Sequence, residues 1–337
     1  MTAVPLSAPG RGGAETRQRP RPGLRGLLWL ALRQHRAMAW TALGALVALG
    51  LTLVWLRFAL VSFTAGHHLQ HGCDLLAECH PGDEVVSAYQ PYADAMHYIG
   101  RCVAYLPLVV GAFVAGPVIA RELESGTYKL AWTQSLSPTR WFAVKLATVT
   151  VAVLAGVSLL SALYTWAWRA EPVGLERGGA WFRAFDVIGP VPVGQALLAV
   201  AVGALTGLLV RRTVAAMGGA IAAHLLLTAP LQQLREKLVD PVTELSSRQP
   251  GLIGTDGRWI LGRGLVDQSG GRVPEPDCGI GVSPEDCVAR HGATGWYVDY
   301  HPASHLWPLQ WAEAGVHLGA AAAVAAAAVW VVRRRHP

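Results

Sequence analysis

The chain has 337 residues, of which 52% are hydrophobic and only 15% are charged, and its formal net charge at pH 7 is +6. This composition is too apolar for a soluble protein of that length and indicates a helical membrane protein. The basic residues are scattered at the ends of apolar runs and form no single basic face, so the positive charge does not indicate a nucleic-acid-binding protein.

Six apolar runs are long enough to cross about 30 Å of hydrocarbon as helices, which takes roughly 20 residues each. They are predicted at about residues 37–61, 98–120, 142–168, 193–210, 214–231 and 308–332. The sequence therefore predicts an all-α, polytopic membrane domain over residues 37–332, with tails at 1–36 and 333–337 and polar loops at 64–97, 169–192 and 232–307. The longest of these loops is rich in turn formers, so we expect turns and short helices there, without a hydrophobic core of their own.

The orientation of the chain is predicted from the basic residues near the ends of the spans. Met1–Pro22 contains no apolar run of the signal-peptide kind and is expected to be a cytosolic tail, and Leu24–Arg36 is basic and amphipathic. That stretch either lies on the inner membrane surface or extends the first span; both remain open. The basic residues that fall on one side are Arg25, Arg33, Arg36, Arg121, Lys129, Arg140, Arg211, Arg212 and Arg333–Arg335. The positive-inside rule makes that side cytosolic, with both termini on it.

The first outer loop contains a dense group of possible metal ligands: His67, His68, His71, Cys73, Cys79 and His80. Histidine and cysteine are preferred zinc ligands, so a zinc site is one interpretation. The last outer loop adds Cys278 and Cys287, which puts all four loop cysteines on the predicted outer side. Because disulfides form outside the cell, we favour one disulfide within each loop, Cys73 with Cys79 and Cys278 with Cys287. Free thiols are the third possibility.

Some residues inside the predicted spans carry more specific expectations. Pro107 removes a backbone hydrogen bond from the second span and predicts a kink, as a hinge or as a packing feature. Gly203 and Gly207 form a small-xxx-small face that predicts close helix packing. His224 is by default a hydrogen-bonded interior histidine, with a proton or substrate role as the alternative. The spans show no pair of acidic residues, which argues against a proton relay.

A charged and aromatic segment, Arg121–Lys145, separates the second and third spans. Gly126-Thr127 indicates the end of a helix. Ser137-Pro138 indicates a new helix start, with serine as the N-cap and proline in the first turn. We expect a short helix lying across the cytosolic face and then a turn into the third span.

This pattern resembles the first cytosolic loop of ABC-2-type transporter permeases. It has an acidic helix ending in Glu-x-Glu-x-Gly-Thr, a Trp-containing stretch, then Ser-Pro-x-Arg-Trp and a lysine that enters the next span. The matching residues are Arg121, Glu122, Glu124, Gly126, Thr127, Ser137, Arg140 and Lys145. The resemblance implies that the loop is the coupling helix, which docks on an ATP-binding subunit, with Glu122 and Glu124 expected at that contact. The alternative is a charged loop that sets topology and touches no partner.

The resemblance implies a multi-pass permease subunit of an ABC transporter in the cell membrane, with export expected over import. The implied partners are an ABC ATPase subunit, a second copy of the chain or a related permease, and the lipid bilayer. None of the three lysines follows a glycine, so the chain lacks the Walker A phosphate-binding motif and ATP hydrolysis is expected in another subunit. We expect neither a cofactor nor enzyme activity. Two other classes remain: a membrane anchor or sensor that binds a partner through its outer loops, and a membrane enzyme that uses the outer His/Cys group.

Overall fold

The fold is taken from a computed structural model, which describes residues 36–67, 83–129, 137–172, 180–247, 257–276 and 283–335. In these residues, six helical segments are long and apolar enough to cross a membrane. The first is α1 (Arg36–Gly66), and the second joins α2 (Asp83–Val109), a π-helical turn (Val110–Ala115) and α3 (Gly116–Ser125) into 43 continuous residues. The other four contain α4 (Pro138–Trp168), α6 (Val191–Val210), α7 (Thr213–Leu234) and α9 (Leu306–Arg335). The predicted helical, polytopic membrane fold is confirmed.

Shorter elements flank these helices. Helix α5 (Trp181–Ala184) precedes α6, a 3₁₀ turn (Arg235–Lys237) follows α7, and another (Ala303–His305) leads into α9. The π-helical turn begins three residues after Pro107, so the second span changes its geometry close to the proline that predicted a kink. Such turns accommodate backbone groups that a regular α-helix leaves without a partner.

The region between α7 and α9 corrects the sequence prediction, because it contains a β-sheet. The strands are β1 (Val242–Ser246), β2 (Trp259–Asp267), β3 (Arg272–Pro274) and β4 (Ala293–His301), paired antiparallel in the order β1-β4-β2-β3. Helix α8 (Pro284–Arg290) precedes β4. The expectation of turns and short helices without a core was wrong, since Leu265, Cys287 and Trp296 form a small buried cluster here. In β4, buried Trp296 and Val298 alternate with less buried residues, which is the strand pattern that the many turn formers obscured.

Helix α6 is the most buried of the candidate spans, with 67% of its apolar window inside the protein. Its glycines allow this burial, as the small-xxx-small face predicted. A Cβ atom on Gly203 would lie 2.3 Å from the carbonyl oxygen of Gly111 in the π-helical turn, and one on Gly207 would lie 2.8 Å from that of Gly116. Both contacts are with backbone atoms, so α6 and the second span pack as closely as their main chains permit.

The two ends of the helix bundle differ in composition. At one end, an apolar cluster joins the start of α1 and α4 to the ends of α3, α6 and α9 through Met38, Ile119, Phe142, Leu208 and Val332. We call this the basic end, because its helix termini bear Arg36, Arg121, Arg140, Arg211, Arg212, Arg333 and Arg334. At the other end, which we call the sheet end, Phe63, Tyr89, Phe185 and Leu306 form a second cluster with Trp259 of β2 against it.

Candidate functional site

The predicted coupling segment lies at the basic end, but its acidic part is not a separate helix. Arg121, Glu122 and Glu124 occupy the last turns of α3 and so continue the second span. No helix breaker stands between Pro117 and Gly126, and the helix therefore runs on until Gly126, whose φ of 73° ends it in the left-handed conformation. The predicted helix stop is confirmed. Residues 130–136 lie outside the described part of the chain.

The predicted start of the third span is also confirmed. Ser137 has an extended backbone, and its Oγ accepts a hydrogen bond of 3.3 Å from the backbone N–H of Arg140. Pro138 is the first residue of α4 and lacks the N–H that a helix start leaves unpaired. Serine and proline thus fix where the chain re-enters the bundle.

Glu122 is buried between α3 and α4, with 8% of its surface exposed. Its carboxylate accepts a hydrogen bond of 2.6 Å from Lys145 Nζ and one of 3.0 Å from Trp141 Nε1. Lys145 is equally buried, so the two charges satisfy each other away from water. We expected Glu122 at a partner's surface, whereas the structure places its side chain inside the bundle as a link between two spans.

Glu124 makes the second link from the end of α3. Its carboxylate accepts hydrogen bonds from the backbone N–H of Thr213, at 2.9 Å, and from its hydroxyl, at 2.6 Å. Thr213 is the first residue of α7, where backbone N–H groups have no partner within the helix. A carboxylate there is also favoured by the helix dipole. Glu124 therefore caps α7 from another helix, although it is itself exposed.

The remaining predicted coupling residues form the exposed rim of these links. Arg121, Thr127, Ser137 and Arg140 are exposed, and the Thr127 hydroxyl lies 3.0 Å from the Ser125 hydroxyl. Arg140 immediately precedes Trp141, which bonds to Glu122, while Arg121 immediately precedes Glu122 itself. The structure thus brings the predicted residues together at one end of the bundle, with buried links inside and basic side chains outside.

The other sequence-predicted site falls mostly outside the described residues. His68, His71, Cys73, Cys79 and His80 all do, and so does Cys278. His67 is described, and its Nδ1 lies 3.0 Å from the carbonyl oxygen of Phe63. Cys287 is buried in the core of the sheet region and is not a free thiol, unlike the exposed Cys102. The two disulfide pairings and the zinc alternative stay predictions, and no group of three metal ligands occurs in the described residues.

A second buried ionic group, at the sheet end, was missed from the sequence. Arg235 donates to both oxygens of Glu313, from Nε at 2.6 Å and from Nη2 at 2.9 Å, and it donates to Asp186 from Nη1 and Nη2. Glu313 lies within α9 with 1% of its surface exposed, and it is a single acid held by an arginine. The signal was a single acidic residue inside the sixth apolar run; its partners come from distant parts of the chain.

These features define a polytopic helical membrane protein whose basic end links three spans through two glutamates. Residues 43–235 match the family model described as ABC-2 membrane transporter related. That match covers more than half of the chain, which therefore belongs to this family and is a component of a membrane transporter. It ends before β1, so the sheet and α9 lie beyond the matched range. No curated protein and no solved structure matches the chain.

Proposed function

We propose that the chain is the permease subunit of an ABC transporter in the cell membrane and is driven by a separate ATPase subunit that docks at the basic end. A second copy or a related permease completes the transport path, and the direction is export, as the resemblance implies. The observation that carries this proposal is the pair of links from α3, Glu122 to α4 and Glu124 to α7. They join the expected docking segment to two other candidate spans.

The links give a physical route for the motion of the ATPase. A push on the loop between Gly126 and Ser137 moves the end of α3 and the start of α4 together, because separating Glu122 from Lys145 would break a buried ion pair. Helix α7 follows through Glu124, and α6 follows through its close glycine contacts with the second span. The bundle then shifts as packed helices, in the manner of hinge and shear transitions.

The exposed residues provide the contact itself. Arg121, Thr127 and Arg140 face outward at the basic end, where a groove on the ATPase reaches them. The buried Glu122 transmits motion, and Gly126 sets the direction in which the chain leaves α3. The positive-inside rule supports a cytosolic position for this end, because its helix termini bear arginines.

A second candidate function, a membrane anchor or sensor, is favoured by one observation. The four-stranded sheet lies outside the range of the family match, and its edge strand β1 is largely exposed. An exposed edge strand has unpaired backbone groups on which a partner can add a strand. In that role the chain needs no ATPase, so the same experiment separates the two functions.

The test is co-purification of the tagged chain in mild detergent, with bound ATP-binding proteins identified by mass spectrometry. We expect the wild type to retain an ATPase subunit and the Arg121→Glu/Arg140→Glu variant to lose it. Arg290→Glu, at an exposed arginine of α8 near the sheet, is the matched control and should retain it. An ATPase missing from the wild type even after crosslinking would refute the permease proposal and favour the anchor or sensor.

A conservative change separates docking from transmission. Glu122→Gln keeps the shape of the side chain and can still accept a hydrogen bond from Trp141, but it removes the charge that pairs with Lys145. We expect this variant to retain the ATPase while ATP hydrolysis no longer drives transport. If transport per ATP is unchanged, the buried pair only stabilises the fold. The control is the wild-type complex assayed at the same occupancy of ATPase.

A further inference from the structure

Three buried polar side chains lie on α6 and on the two helices that pack against it, α7 and α9. Gln195, His224 and His317 have exposed fractions of 5%, 6% and 0%. Gln195 Nε2, His224 Nδ1 and His317 Nε2 have no hydrogen-bond partner among the described residues. A buried polar atom without a partner is unfavourable, and more so where no water or polar solvent surrounds the protein. Three such atoms in one region therefore point to a common partner.

The packing of the three helices places these side chains in one neighbourhood. The helices share an apolar layer formed by Leu198, Ala201, Val202, Ala223 and Ala321. Gln195 precedes Leu198 by one helical turn, His317 precedes Ala321 by one turn, and His224 follows Ala223 directly. A Cβ atom on Gly194 would lie 3.1 Å from the Cβ of His317, and the two histidines are close enough to interact electrostatically.

The hydrogen-bonding capacity of the three atoms is complementary. His317 Nδ1 lies 3.0 Å from the carbonyl oxygen of Glu313, which accepts only if Nδ1 carries the proton. The Nε2 of neutral His317 is therefore an acceptor, whereas Gln195 Nε2 is a donor, and His224 Nδ1 adapts through its tautomer. One donor, one acceptor and one adaptable group match a hydroxyl, which both donates and accepts.

The charges nearby favour an uncharged occupant. Arg235 is bonded to Glu313 and Asp186, so this ion group, one turn from His317, is internally paired. A metal ion is not favoured, since no group of three His, Cys, Asp or Glu ligands occurs in the described residues. Burying an isolated ion here would also be far more costly than burying a hydroxyl.

We propose that Gln195, His224 and His317 form a binding site, inside the membrane domain, for an uncharged hydroxyl group supplied by water or by a hydroxylated ligand. The site lies beside α6, and one of its residues comes from α7, the helix whose first residue is capped by Glu124. It does not depend on an ATPase, so its tests use the purified chain alone, and their failure leaves the transporter proposal untouched.

The first test is a double-mutant cycle on the thermal unfolding midpoint, with Gln195→Leu, His317→Leu and both together. If a hydroxyl bridges the two side chains, each single change lowers the midpoint and the second change adds little to the first. The matched control replaces Thr206 of α6 by valine, because the Thr206 hydroxyl bonds only to carbonyls of its own helix. Its effect should add to that of His317→Leu. Additive effects for Gln195 and His317 would overturn the proposal.

The second test uses the wild-type protein and identifies the source of the hydroxyl. The protein is ¹⁵N-labelled at histidine in lipid nanodiscs, and the two ring signals are assigned with His224→Gln and His317→Gln. Cross-relaxation between these rings and water identifies water as the occupant. A saturable shift of both signals on addition of glycerol, as a hydroxyl probe, identifies a site open to hydroxylated ligands. If neither is seen, the proposal fails.

Discussion

The two buried ionic groups of this protein lie at opposite ends of the bundle and differ in how their charges are held. At the basic end, Glu122 and Lys145 are 23 residues apart and are completed by the neighbouring Trp141. At the sheet end, Arg235 bonds to Glu313, 78 residues away, and to Asp186, 49 residues away. The first group joins adjacent spans through a local motif, while the second joins the end of α7 to α9 and to the loop before α6.

The difference indicates which end is suited to move and which to stay fixed. Glu122 and Lys145 form a single pair beside the exposed residues Arg121 and Arg140, where the proposed ATPase would dock. Arg235 is held by two carboxylates and also lies with its guanidinium carbon 4.3 Å from the centre of the Phe185 ring. Arg235 thus joins three parts of the chain, so the sheet end is held together by more interactions than the basic end.

The largest effect is therefore expected from Arg235→Ala. The change leaves Glu313, with 1% of its surface exposed, as an unpaired buried charge, which costs about 3–5 kcal/mol in comparable cases. The measurement is the free energy of unfolding in lipid bicelles. Arg272→Ala is the control, because its ion pair with Asp299 is half exposed and such pairs contribute about 0–1 kcal/mol. Equal losses of unfolding free energy in the two variants would contradict the expected difference between the buried and the exposed ion pair.

Lys145→Met should lower the free energy of unfolding by the next largest amount, about 3 kcal/mol, because Glu122 keeps its hydrogen bond from Trp141 after the ion pair is lost. The double variant Glu122→Gln/Lys145→Met should recover much of this loss, since it leaves no unpaired charge. The same measurement in bicelles checks both. If Lys145→Met lowers the free energy of unfolding as much as Arg235→Ala does, the two buried ionic groups stabilise their ends of the bundle equally.

The basic end could be predicted from the sequence better than the sheet end, because its interacting residues lie closer together along the chain. The stop at Gly126 and the start at Ser137-Pro138 follow from local backbone preferences, so they were predicted correctly. The six apolar helices follow equally from composition. Glu313 was visible as a lone acid in an apolar run, but nothing near it in the sequence identifies Arg235 as its partner. The sheet was missed because its short strands contain glycines and polar residues that also indicate turns.

A smaller effect is expected at the cap of α7. Glu124→Gln keeps an acceptor for the Thr213 hydroxyl but removes the negative charge that the helix N-terminus favours. The first turn of α7 should then exchange its amide hydrogens faster, with little change in the overall unfolding midpoint. Gln232→Ala, near the other end of α7, serves as the control. Unchanged exchange at Thr213 would mean that Glu124 does not hold α7, which would remove one of the two proposed routes for motion.

The smallest effect concerns Asp267, at the turn between β2 and β3 in the sheet region. Its carboxylate accepts hydrogen bonds from the Ser269 hydroxyl and from the backbone N–H groups of Ser269 and Gly271, and these bonds lower its pKa below the ordinary 3.8. A group whose pKa is lower in the folded state stabilises the fold above its unfolded pKa, and this contribution is lost as the pH falls through the folded value. Exchange at the Gly271 amide should thus stay slow at pH 5 and accelerate only below pH 3.8, with no such acid step in Asp267→Asn. The acid step should leave the ion group of Arg235 intact, because Asp267 is at the far end of β2 from α7. If both are lost together, the sheet and the bundle unfold as one unit.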